Sequence, residues 1–494
     1  MLKIDEIKAL ILQDEGSQKK KGAKIGVDYY DGIHDIKNYR VFYFNADGKL
    51  EEDETKSNFR IAHPFFQELV DQEVQYILSG KEAFVLSDIP ELQKELDAYF
   101  NDNEDFKAEL YEILTGCISK GFEYAYAFKG EDDRTGFQCA DGLGVIEVEA
   151  RFASDKKDHI LYWYIDRVDK DGKKVKRIQD WDDAQTAYYI QDEHGDIKKD
   201  PAEKINPKPH IVYKEGTDEK LFSDSYGLIP FFKLDNNKKQ QSGLMPIKDI
   251  VDDYDLMNAG LTNNIQDTNE ALYVVKGFQG DNLDELMVNI KAKKHIGVDE
   301  EGGVEVHSID IPYEARKIKM EIDEKNIFRF GMGVNTEGLK DTSATTSIAI
   351  KSAYALLDLK CNKLEIRLKQ FMRKLLKVVL KEINDTNSTE YTQSDVYFNF
   401  EREIITNEQE HAQIELTEAQ KRQTEINTLL NIAAHLDNET LMELVFEQLD
   451  LNYEDYKDKL PEPEEDGLVD AQKALNAVQP ESNPGGDPGG DVIE

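Results

Sequence analysis

Cysteine, long apolar runs, positive charge and catalytic motifs are all scarce in this chain, and each scarcity excludes something. There are three cysteines in 494 residues. Cys117, Cys139 and Cys361 are far apart, odd in number and without metal-ligand spacing, which argues against a disulfide framework and favours a reducing compartment. No run of about 18 apolar residues occurs, so no transmembrane span is expected, and a membrane is not an expected partner. Met1 leads into a charged helix rather than an apolar h-region, so no signal peptide is expected. Against 61 Lys and Arg stand 100 Asp and Glu, a formal net charge of −39. Charge that far from zero repels phosphate and anionic surfaces, and the basic footprint of a static nucleic-acid binder is missing. The nine histidines include no pair at i, i+4. No Gly-x-Ser-x-Gly, P-loop or Cys–His arrangement is present. The chain does not read as an enzyme, and no cofactor is expected.

What is present is enough to fold. Hydrophobic residues make up 39% and aromatics 10%, and the length predicts two to four compact units. Residues 1–57 read as a short helix, a basic patch at Lys19–Lys21, and two short strands around Asn45-Ala46-Asp47-Gly48. Helices follow over His63–Leu78, Pro90–Phe100 and Glu104–Lys120, the first with Phe66, Leu69, Val70, Val74 and Ile77 at helical spacing. From Phe122 to about Tyr213 the period becomes two, with runs such as Tyr124-Ala125-Tyr126-Ala127-Phe128 and Leu161-Tyr162-Trp163-Tyr164-Ile165. Turns separate these runs, as in an antiparallel meander. Helices followed by a segregated sheet make the class α+β. The longest helix is predicted over Ser347–Asn384. Its apolar positions Ile350, Tyr354, Leu357, Cys361, Leu364, Leu368, Phe371, Leu375 and Val378 form a seam of period 3.5, the pattern of sustained helix–helix packing. A strand near Val396–Phe400 and helices over Asn407–His435 and Glu439–Leu449 complete the fold. The tail from Pro461 is rich in Pro, Gly and acid and is expected to be disordered.

The segment 245–346 reads as helix, small mixed insert, returning helix and a loop of Gly, Thr and Ser. At about 100° per residue, Asp249, Asp252, Asp253, Asn263, Asn264, Asp267 and Glu270 cluster on one side of the first helix. Ile247, Ile250, Tyr254, Met257, Leu261 and Ile265 fall together elsewhere. Such a helix can stand beside copies of itself around a hole and line it with negative charge. Asp252-Asp253-Tyr254-Asp255 could hold Mg²⁺, but it matches no acidic metal motif as well as it matches a solvated or lumen-facing stripe. Asp169-Lys170-Asp171-Gly172 fits a hairpin turn better than a calcium loop. Gly331-Met332-Gly333 fits a helix stop better than a phosphate cradle. The basic run Lys291, Lys293, Lys294 and His295 could meet phosphate or an acidic partner, or be a solvated face.

From about Tyr29 to Leu449 the chain resembles the portal proteins of tailed double-stranded DNA bacteriophages, in the branch typical of siphophages of Gram-positive hosts. The runs that carry the resemblance are Tyr29-Tyr30-Asp31-Gly32-Ile33-His34-Asp35-Ile36, Asn58-Phe59-Arg60-Ile61, Gly227-Leu228-Ile229-Pro230-Phe231 and Gly243-Leu244-Met245-Pro246-Ile247. Asp252-Asp253-Tyr254-Asp255, Ile327-Phe328-Arg329-Phe330-Gly331 and Ser347-Ile348-Ala349-Ile350-Lys351 continue them.

The resemblance implies a ring of about twelve copies at one capsid vertex of the virion, assembled in the host cytoplasm. Double-stranded DNA would be packaged through it by the terminase motor and later ejected. Residues 1–245 and 347–400 would form an α/β wing, and 246–271 with 312–334 a two-helix stem. Residues 272–311 would form a small α/β clip, and 401–460 a helical crown. The loop 335–346 would line the channel nearest the DNA, with Asn335, Thr336, Lys340, Asp341, Thr342, Ser343, Thr345 and Thr346. Asp249, Asp252, Asp253, Asp267 and Glu270 would form the acidic face of the stem. Lys291, Lys293 and Lys294 of the clip would meet partners. The implied partners are the terminase large subunit, a head-completion or adaptor protein, and the major capsid and scaffolding proteins. Two other readings stay open from the residues: a metal-dependent enzyme using the Asp252–Asp255 cluster, and a protein-only acidic scaffold or adaptor of the virion.

Overall fold

The computed structural model describes residues 1–403 except 46, 55, 131–133, 151–152, 169–171, 216–219, 268–271, 279–297, 308–312 and 336–346, together with 420–429, 431 and 438–448. The expected tail from Pro461 and the tip of the 169–172 turn lie outside these residues, as does the first part of the helix expected from Asn407. The chain divides into two compact units, Met1–Ile405 and Thr406–Glu494. In the second unit, 420–429 is helical, and so is Asn438–Gln448.

The first unit is built around three helices whose patterns are plain in the sequence. α3 (Phe65–Ile77) buries all five apolar residues expected of it. α5 (Glu104–Lys120) starts where the Asn103 side chain accepts from the Phe106 amide, and stops at Gly121, whose φ of 97° is left-handed; these are ordinary N- and C-cap chemistries. α8 (Ser347–Asn387) is the longest element at 41 residues. Leu357, Cys361, Leu364, Leu368, Phe371, Leu375 and Val378 of its seam are buried. α8 packs on α3 but also on strands β14 (Phe231–Asp235) and β5 (Thr135–Ala140), so the seam serves a mixed core rather than a helix pair. An ion pair joins α8 to α3, with half-buried Lys360 Nζ 2.8 Å from the buried Glu73 carboxylate.

The N-terminus departs from the expected single helix and surface patch. Two helices are present, α1 (Ile4–Glu15) and α2 (Gln18–Tyr30). Gly22 and Gly26 lower the intrinsic helix propensity of α2, but Gly26 is where α2 crosses α5: a Cβ there would lie 1.9 Å from the Ser119 carbonyl oxygen. Two lysines of the expected patch are structural, while Lys21 is exposed. Lys20 Nζ donates to the Leu143 and Val145 carbonyls at 2.8 Å. Lys19 sits 3.9 Å over the Phe122 ring, and burial, with Lys233 nearby, pulls its pKa down to about 8.

The period-two region also splits. β4 (Phe122–Lys129) and β5 belong to a three-stranded sheet completed by β14, with Phe232 opposite Ala125. The antiparallel meander itself runs from β6 (Val145–Ala150) through β7 (Ala153–Val168), β8 (Lys174–Trp181) and β9 (Gln185–Gln191) to β10 (Ile197–Lys199). Ile7 and Ile11 of α1 pack on its inner residues Leu161, Ile178 and Ala187. Alternation says which residues share a face but not which strands pair, so the division was invisible in the pattern.

The contrast between the two sides of α8 is testable. Leu368→Ala is expected to cost about 2–5 kcal/mol, because Leu368 is fully buried. Ile366→Ala, two residues away and 64% exposed, is expected to stay within about 0.5 kcal/mol. Urea unfolding of both variants checks the orientation of the helix.

Candidate functional site

The segment singled out in the sequence is a helical hairpin. α6 (Lys248–Asp267) and α7 (Tyr313–Gly331) pack side by side. Within the insert, β15 (Leu272–Phe278) pairs antiparallel with β16 (Val298–His307). Lys319 of α7 joins the helices, with its ammonium against Asp253 of α6 and Asp323 of its own helix.

Neither of the stripes read from the sequence is the face α6 buries. Its buried row advances by four residues from Ile247 through Val251, Asp255 and Ala259 to Asn263. It places a carboxylate and an amide in the interior. Asp255 is completely buried. Its Oδ2 lies 2.7 Å from His34 Nδ1, and its Oδ1 lies 2.7 Å from His63 Nδ1 and accepts from the His63 amide at 3.0 Å. His34 turns its other nitrogen to the Tyr29 carbonyl at 3.1 Å and stacks on the Tyr29 ring. The Asn258 amide lies 2.7 Å from His63 Nε2, so His63 donates to Asp255 through Nδ1. Burial works to raise the pKa of Asp255, but the hydrogen bonds from His34 and His63 outweigh it and hold the carboxyl below its usual value.

The same pattern continues along the helix. Asn263 Oδ1 accepts from the Phe59 amide at 2.7 Å, and Asp267 Oδ1 from the Ser57 amide at 3.1 Å. Residues 57–63 therefore form a strap that runs antiparallel to α6, and three polar side chains of the helix take up its backbone N–H groups. At the start of α6, Asp252 accepts from the Tyr29 hydroxyl and pairs with Lys248 at 2.7 Å, while Lys248 also reaches Asp35 at 2.6 Å.

The predicted acidic face thus has several occupations. Asp249 is exposed. Asp252 binds Tyr29 and Lys248, Asp253 binds Lys319, and Asp267 binds the strap. Glu270 lies outside the described residues. Asp252, Asp253 and Asp255 diverge to three separate sets of partners, which opposes their use as one metal site. Among the described residues no group of three or more His, Cys, Asp or Glu is arranged to hold an ion. The Asp255–His34–His63 anchor was missed, because residues more than 190 positions apart leave no spacing signal. His34 and Asp255 do both fall in the runs that carry the family resemblance.

The end of α7 is built for a sharp stop. The Gly333 amide donates to the Phe328 carbonyl at 2.9 Å across Met332, whose φ is 56°. This is a Schellman-type cap in which methionine takes the left-handed position that glycine usually fills. Gly333 is pressed on α3: a Cβ would come 2.1 Å from Leu69 Cδ2. Gln72 of α3 brackets Val334, donating to its carbonyl at 3.0 Å and accepting from its amide at 2.9 Å. Asn335 Nδ2 donates to Glu324 at 3.1 Å. Thr336, Lys340, Asp341, Thr342, Ser343, Thr345 and Thr346 lie outside the described residues, as do Lys291, Lys293 and Lys294.

The anchor has a signed pH dependence. A carboxyl held below its usual 3.8 stabilises the fold fully above that value, and the contribution is lost as pH falls through the lower folded value. Asp255→Asn is expected to cost about 3–5 kcal/mol at neutral pH, because it leaves two histidine donors without their charged partner. It should also lose less further stability than the parent below about pH 4. Urea titrations across pH read both effects, and an unchanged neutral-pH stability would remove the anchor's role.

The family model described as "Phage portal protein, SPP1 Gp6-like" matches residues 11–454. The portal protein of Bacillus phage SPP1 is 26% identical over 395 residues, covering 78% of this chain and 75% of its own. The portal protein of Clostridium phage phiCD119 is 25% identical over 443 residues, covering 84% and 89%. A solved structure described as "Neck of native GTA particle computed with C12 symmetry" matches with a TM-score of 0.39 and 11% identity, over 78% of this chain and 89% of that one. The chain belongs to the SPP1 Gp6-like phage portal protein family, a non-enzymatic virion component that forms the head–tail connector.

Proposed function

We propose that this chain assembles as a ring of about twelve copies at one capsid vertex, with an axial channel that double-stranded DNA enters under the terminase motor and leaves at infection. Residues 246–271 and 312–334 act as the stem, 272–311 as the clip, 1–245 and 347–400 as the wing, and 401–460 as the crown. The loop 335–346 acts as the channel contact nearest the DNA. The clip, with Lys291, Lys293 and Lys294, meets the terminase large subunit and the head-completion protein, and the outer surface meets capsid and scaffolding proteins.

The observation that carries this reading is the α6–α7 hairpin. Twenty residues in α6 span about 30 Å, and the β15–β16 ladder caps the hairpin. Its outer surface leaves Ile265, Ile318 and Ile322 about half exposed, which suits helices that stand beside copies of themselves. The charge suits passage of DNA. α6 carries five aspartates and one lysine, and α7 roughly balances four acids with five bases. With nine acids against six bases the hairpin is net acidic, and a net acidic wall gives little counterion release, so a duplex with one charge per ~1.7 Å moves without being held.

Electron microscopy of the purified protein is expected to show rings of about a dozen subunits with an open axial hole, the copy number following from the family resemblance and ring closure. A chain that stays monomeric in all salt conditions would sink the reading. Deleting Thr336–Thr345 is expected to leave rings intact and block packaging. DNA-filled particles at normal yield from that deletion would remove the loop's role.

A further inference from the structure

Two exposed elements have compositions that the contacts of one chain do not explain. The first is the hairpin of β1 (Phe42–Phe44) and β2 (Leu50–Glu52). Phe42, Tyr43, Phe44 and Leu50 are all exposed, Phe44 by 74%. A lone two-stranded hairpin is marginal in water, and large apolar side chains grouped on one mark an interaction surface. Residues 40–54 also hold five acids against two bases.

The second element is the outer stripe of α8. Leu356, Leu359 and Ile366 are exposed on it, at 42%, 54% and 64%. Lys363, Lys377 and Lys381, on the same face by helical period, are also exposed. Among the described residues none of these three lysines has an ion-pair partner. α8 carries nine Lys and Arg against four Asp and Glu, in a chain whose net charge is −39.

We propose that these two faces are partners between copies: the β1–β2 hairpin of one chain docks on the outer stripe of α8 of the next. Its aromatics cover Leu356, Leu359 and Ile366, and the acids Glu51, Glu52 and Glu54 face Lys363, which lies within that stretch of the helix. The occupant is a second copy because identical chains of charge −39 repel one another, and an assembly of them must bring unpaired cations against acids of a neighbour. The hairpin supplies both the acids and the apolar surface that the α8 stripe lacks. Nucleic acid would account for the lysines but not for the three aliphatic residues among them. Because the two faces differ, the contact is heterologous, the kind that builds a ring when its rotation closes. The inference rests on the ring reading above and names the surfaces that close it.

Crosslinking tests it on the full-length protein. Phe44→Cys and Leu359→Cys are made singly and together and treated with a short bismaleimide, with the parent chain as control for Cys117, Cys139 and Cys361. The double variant is expected to give a ladder of covalent oligomers, and a mixture of the two single variants a covalent dimer. Each single variant alone should behave as the parent. K363E should lower the crosslink yield several-fold, and adding E51K/E52K/E54K should restore it. Rings by electron microscopy without the Phe44→Cys to Leu359→Cys crosslink overturn the inference and leave the ring. Covalent dimers from Phe44→Cys alone overturn it in favour of a hairpin–hairpin contact. A crosslink yield unchanged by the charge reversals overturns the electrostatic pairing. Absence of rings in the parent removes the ring reading, and this inference with it.

Discussion

Burying a carboxylate costs free energy unless both oxygens are satisfied, and in this protein the satisfied carboxylate is Asp255. Its partners, His34 and His63, come from the N-terminal part of the chain, and it sits on α6 between Val251 and Ala259 in the row that faces the interior. Position and orientation of α6 follow from that arrangement. A rotation by one residue would carry the carboxylate away from both imidazoles and bring an apolar neighbour into a polar site. The strap 57–63 then repeats the logic at Asn263 and Asp267, so α6 is held along its length by backbone donors as well as by packing. α7 is referred to α6 through Lys319 and to α3 through Leu69 and Gln72. The last described residue before the 336–346 segment, Asn335, is thereby tied to the same helical core.

Net charge and local charge tell different stories. The chain carries a large excess of acid, yet on the hairpin Lys248 and Lys319 pair with its aspartates and backbone amides take up others. α8 runs the other way and is basic in an acidic protein. An acidic excess keeps copies apart, while a few well-placed cations decide where they meet. Long-range repulsion and short-range selection are compatible because exposed charges act over about 10 Å at 0.1 M salt.

Elements with a strong amphipathic period were legible in the chain itself. α3 buries the five residues its spacing names, α5 has the predicted bounds, and α8 begins at the predicted residue and ends three later. α2 was not legible, because two glycines weaken its helical signal and the reason for one of them is a neighbouring helix. The split of the sheet was not legible either, since β14 reaches β4 from more than a hundred residues away. For the site, the sequence located the acidic helix and its turn-back correctly. It could not distinguish an aspartate that faces solvent from one that binds a histidine or a strap amide, because helical periodicity assigns an angle and not a partner.

The order and period of the elements, and the family they belong to, are properties of the sequence by itself. They depend on local spacing and on runs of residues read in order. The partners of the acids were decided by tertiary structure. Asp255 meets His34 and His63, and Asp267 meets Ser57, across about two hundred residues of chain. Those contacts and the docking of α6 on the helical core through Ile247 and Val251 exist together in the folded chain. Buried hydrogen bonds between distant segments belong to that tertiary arrangement, and nothing in the local pattern of either segment carries them.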